Sequence, residues 1–138
     1  MSVPEKLWRF PTAQAIANLA ARFDVPTGPH MQDWAWEIAD SNRLDEYLTD
    51  YQSGELTNDE RFTLMEIIMQ AFEDLPAPLD SDPRWEATLM TLDSKIDLHA
   101  YTVWYWSDLE NELEDECWRV APYLRKLVER HQARLVAT

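Results

Sequence analysis

Residues 83–106 read PRWEATLMTLDSKIDLHAYTVWYW, and the fold turns on whether their last third is helix or strand. Taken alone, YTVWYW is rich in the β-branched and aromatic residues that favour strands. Over the longer stretch, however, Trp85, Leu89, Leu92, Ile96, His99, Val103 and Trp106 recur at spacings of 4, 3, 4, 3, 4 and 3. That is the period of a helix face, and it argues for one helix running to about residue 106. A strand at 99–106 would have no evident partner elsewhere in the chain, so helix is the expectation and strand the alternative.

The start of this segment is well marked. Asp82 can cap the helix, and Pro83 suits the first helical position, where its missing N–H costs nothing. Earlier in the chain, Thr57 followed by Glu60 forms a capping box, in which the Thr oxygen accepts from a free N–H and the Glu carboxylate reaches back. The helix it opens, 58–74, carries Phe62, Met65, Ile68, Met69 and Phe72. Thr12 can cap a helix over 12–23 with Ile16, Leu19, Ala20 and Phe23 on one face. In MQDWAWEIA, Met31, Trp34 and Ile38 share a face while Trp36 points elsewhere. Leu44, Tyr47, Leu48 and Tyr51 form a further stripe, which Gly54 terminates. Ser107 with Glu110 reads as a second capping box, opening a short acidic helix or turn over 108–116. Pro122 opens the last helix, with Leu124, Leu127 and Val128 inward and Arg125, Lys126, Arg130 and Arg134 toward water.

With two glycines and most prolines at segment edges, the pattern predicts a single all-α domain over 1–138, a bundle of five or six helices with its core at 58–74 and 83–106. A chain of 138 residues that is 46% hydrophobic can bury such a core without staples. The one cysteine, Cys117, rules out an internal disulfide framework and suggests a small buried residue in a reducing compartment. No secretory leader and no membrane-spanning run is evident, which makes the cytoplasm the expected location.

The net charge is −14, unevenly placed: +2 over 1–23, +4 over 119–138 and −20 between them. Such a chain repels nucleic acid and anionic membrane and attracts basic proteins. No reaction is legible. His30, His99 and His131 stand outside any H-E-x-x-H or G-x-S-x-G frame, so no catalytic residue is assigned. One cysteine cannot supply a zinc site, LENELEDECW has no glycine for a calcium turn, and no Glu-x-x-His motif is present, so neither metal nor cofactor is expected. Glu66 or Asp115 would be the base of a helical enzyme if there were one.

What remains is acidic and aromatic. Nine acids lie between 33 and 60, and six between 108 and 116, the latter between Trp104, Tyr105, Trp106 and Trp118. A solvated helix face would account for either run. Large amphipathic aromatics beside like charge also suit a partner-binding surface, where aromatics anchor and charge steers. On that basis the candidate contacts are Trp104, Asp108, Glu110, Glu112, Glu114, Asp115 and Glu116, then Trp36 and Glu37.

DWAWE at 33–37, LTNDERFTLMEIIMQAFEDL at 56–75, HAYTVWYW at 99–106 and VAPYLRKL at 120–127 resemble small acidic bacterial immunity proteins of polymorphic toxin systems. The resemblance covers about a third of the chain. It implies a protein partner, a basic toxin domain whose active surface is blocked. A structural or regulatory homo-oligomer, joined through its tryptophan-rich faces, is the alternative expectation.

Overall fold

The capping box at Thr57 forms as its residues dictate: Thr57 Oγ1 accepts from Glu60 N at 3.2 Å, and Glu60 Oε1 accepts from Thr57 N at 2.8 Å. The computed structural model describes residues 3–28, 31, 33–111 and 117–135, and these contain helices and no strand. Eight α-helices are present among them, more than the five or six expected: α1 Ala13–Phe23, α2 Trp34–Ile38, α3 Leu44–Gln52, α4 Asn58–Asp74, α5 Pro83–Ser94, α6 Ile96–Trp106, α7 Ala121–Arg130 and α8 Gln132–Leu135. Short 3-10 turns occupy Glu5–Leu7 and Ser41–Arg43. By their contacts the residues fall into two compact units, Phe10–Pro76 and Met1–Arg9 with Ala77–Thr138, with α4 in the first and α5 and α6 in the second.

In the unit Phe10–Pro76, α4 is buried almost continuously from Phe62 to Phe72 and contacts α1, α2 and α3. Phe23 and Tyr47 meet edge to face at 5.2 Å, and Leu19 and Leu44 are fully buried. Thr12 caps α1 through Ala15 N, and Asp24 ends it in the left-handed region at φ 54°. Arg43 Nη2 donates to the Phe23 carbonyl at 2.7 Å, which satisfies another acceptor at that helix end. After α3, Gly54 turns the chain at φ 78°, a conformation that L residues resist.

In the second unit, α7 contacts α5 and α6. Trp85 is buried and meets Tyr123 edge to face at 5.5 Å, while Tyr123 hydrogen-bonds Asp80. Asp82 caps α5 through Arg84 N at 2.9 Å. The stretch 99–106 is helical, and the predicted seam is buried at Trp85, Leu92, Ile96, His99, Val103 and Trp106. The helix is nevertheless not continuous. It breaks at Lys95, at φ −116° and ψ 37°, and kinks at His99. Three hydroxyls precede the break: Thr88 Oγ1, Thr91 Oγ1 and Ser94 Oγ donate to the carbonyls of Arg84, Ala87 and Thr91. Such back-bonding competes for helix acceptors and bends the chain. Burial lowers the His99 pKa to about 3, with Arg9 and Lys95 adding to the effect, so its ring is neutral at physiological pH.

Two outcomes follow from α4. Thr57→Ala should destabilise the unit by about 1–2 kcal/mol in urea titration, because it strands donors of the first turn. Glu66, half-buried on α4, is pushed up by desolvation from the ordinary 4.5 to about 7. The folded protein thus holds a proton that the unfolded chain has released between these values, and stability falls as pH rises through that window. Glu66→Gln should flatten the slope and add on the order of 1–3 kcal/mol above pH 7, as read from denaturation midpoints at pH 4.5 and 8.

Candidate partner-binding surface

A helix leaves its last carbonyls without partners, and the sequence after Trp106 offers no glycine to close the end of α6. Ser107 and Asp108 do it instead. Ser107 Oγ donates to the Trp104 carbonyl at 2.5 Å, and Asp108 takes the left-handed conformation at φ 51°, which a short polar side chain tolerates. Residues 107–110 are a turn, with the serine hydroxyl donating back into α6, and the remainder of the expected 108–116 helix or turn from 112 to 116 lies outside the described residues.

Arg125 holds that turn. Its Nε donates to Ser107 O at 2.8 Å, and its Nη2 to Asp108 O and Asn111 O, both at 2.7 Å. The sequence places Arg125 toward water, yet it is half-buried, because a guanidinium on α7 provides the planar array of donors that exposed helix carbonyls need. The sequence does carry a signal of this need: an acidic helix end without a C-terminal glycine requires donors from elsewhere.

Above the turn stands an aromatic cluster. Tyr105 stacks on Tyr101 at 6.0 Å, lies 5.3 Å from Trp118, and meets Trp106 edge-on at 5.8 Å. Trp106 and Trp118 are 4.6 Å apart. Tyr105 is 46% exposed, whereas Trp106 is buried and Tyr101 and Trp118 are half-buried.

The structure corrects the predicted anchor. Trp104 is 4% exposed and so unavailable as a surface contact. It lies four and eight residues beyond Ala100 and Ile96, both buried, whereas Tyr105 follows Asp97 and Tyr101 on the row toward solvent. The helical period therefore favours Tyr105, whose row begins with a charged residue, over Trp104, whose row is apolar throughout. Of the predicted carboxylates, Glu110 is exposed and Asp108 half-buried, while Glu112, Glu114, Asp115 and Glu116 lie outside the described residues. Cys117 is half-buried, not buried as expected. Trp36 and Glu37 are exposed on α2, in the unit Phe10–Pro76.

No family model, no curated protein and no solved structure matches the chain. Among the described residues no group of three or more His, Cys, Asp or Glu side chains could hold a metal ion, and no helix is long and apolar enough to cross a membrane. Glu66 has the raised pKa that a general base requires, with burial as its cause. Its carboxyl makes no hydrogen bond or ion pair with any other described residue. What the α6 end presents is a turn held by three hydrogen bonds from Arg125, beside an exposed ring and the carboxylates of Asp108 and Glu110.

The charge around this surface is shaped by the arginines. Arg130 and His131 meet Asp93 at 3.0 and 2.6 Å, Arg134 meets Asp97 at 3.0 Å, and Arg119 donates to Ala77 O. Much of the basic C-terminal segment is thus occupied within its own unit. Replacing Arg125 by Met should release the turn: amide exchange at 107–111 should accelerate, and the unit should lose about 1–3 kcal/mol. Arg125→Lys should rescue only part of this, since an ammonium cannot reproduce the fork.

Proposed function

We propose that this chain is an immunity-type bacterial protein, a cytoplasmic and non-enzymatic inhibitor that neutralises a cognate toxin by covering its active or substrate-binding surface. The observation that carries the reading is Tyr105 in the last turn of α6, exposed over Trp118 and Tyr101 and just ahead of the 108–116 acidic run, whose opening turn Arg125 clamps. Rigid aromatic anchors beside steering charge are the components of a high-affinity contact. The sign of the charge fits a basic partner. Toxins acting on nucleic acid must attract phosphate, and an acidic surface can occupy the same site.

A second reading, a structural or regulatory homo-oligomer, is favoured by the exposure of Trp8, Phe10, Trp36 and Met90. Light scattering across a range of concentrations separates the two. A mass that stays monomeric supports the inhibitor, and a mass that grows with concentration supports the oligomer.

The decisive test is affinity capture at low salt from cells that make the protein, with mass spectrometry of what is retained. One basic toxin domain in near-equal amount, released by salt, is the expected result; retention of this chain alone would shift weight to the oligomer. With that partner in hand, Tyr105→Ala should weaken binding by about 2 kcal/mol, mainly through faster dissociation. Asp108→Asn with Glu110→Gln should instead slow association and flatten its salt dependence, as measured by stopped-flow mixing.

A further inference from the structure

Among the described residues, several surface carboxylates are engaged by a cation. Asp50 and Glu55 pair with Arg22, Glu46 with Arg43, and Asp82 with Arg84. Helix α2 is different. Its Trp34 is buried, its indole donates to Pro26 O at 2.8 Å in the preceding loop, and the helix packs on α4. Trp36, two residues on, is directed away from that face and is 65% exposed. Asp33, the N-cap residue three before it, and Glu37, the residue after it, are both exposed and flank it in the chain. None of these three side chains makes a hydrogen bond, ion pair or ring contact with another described residue.

From this we infer that Trp36, Asp33 and Glu37 form a second docking epitope, which takes an arginine or lysine side chain of a cationic protein partner. The indole is the strongest aromatic acceptor for a cation, and flanking carboxylates reinforce it by placing negative charge around the same ring. A neutral or acidic occupant would leave both carboxylates facing apolar or like-charged surface, at a cost that the net charge of −14 only raises. The assignment rests on the reading of the chain as an inhibitor of a basic protein, and it adds α2 as a place of recognition within the unit Phe10–Pro76.

The test uses the full chain carrying 5-fluorotryptophan, with fluorine resonances assigned through Trp36→Phe and Trp118→Phe. A nona-arginine peptide is titrated at low salt against a nona-citrulline peptide of the same shape without charge. The Trp36 resonance should shift saturably with the arginine peptide and not with citrulline. Asp33→Asn with Glu37→Gln should weaken that response by about three- to ten-fold, while Asp108→Asn with Glu110→Gln should leave its midpoint within about two-fold. A silent Trp36, an equal response to citrulline, or indifference to the Asp33 and Glu37 changes would overturn the inference. So would a Trp36 shift that grows with protein concentration alone, which would make a second copy the occupant. If Trp118 responds while Trp36 does not, only the α2 epitope fails; if neither responds, the charge-directed basis of the inhibitor reading fails with it.

Discussion

Helix termini leave donors and acceptors unsatisfied, and a chain with two glycines must meet that demand with side chains. Thr12, Thr57 and Asp82 supply acceptors at three N-termini. At the C-termini, Asp24 and Asp108 take the left-handed turns that glycine usually makes, and Arg43 and Arg125 reach carbonyls from other helices. The same two arginines tie separate segments of each unit together. The clamp at the end of α6 is thus a requirement of folding before it is a feature of any binding surface.

That use of arginine also decides the charge that the surface presents to solvent. The C-terminal segment is basic in sequence, yet Arg119 and Arg125 bond backbone oxygens and Arg130 and Arg134 pair with Asp93 and Asp97. These exposed pairs contribute little stability, but they cancel positive charge locally. Acids without such neighbours, Asp33 and Glu37 among them, stay available to the field that draws a cationic molecule.

The local signals in the sequence are strong where one residue type has one physical use. The boundaries of α4 follow from its capping box, the start of α5 from Asp82 and Pro83, and the helical state of 99–106 from the period of its apolar residues. The break at Lys95 leaves a fainter mark, since the apolar rhythm passes through it unchanged. Its trace lies in the hydroxyls of Thr88, Thr91 and Ser94, which are common in unbroken helices too. The exchange of Trp104 for Tyr105 arises because composition marks a stretch as aromatic without marking which ring faces water.

Helical class, most helix starts, acidity and the absence of any recognisable catalytic motif are all written in the order of residues, because capping, periodicity and charge act over a few residues or sum over all of them. Two features belong to the tertiary level alone: the contacts form two compact units, and Arg125 turns inward to the α6 carbonyls. Those outcomes depend on which distant groups meet, as when a guanidinium on one helix finds the unpaired carbonyls of another.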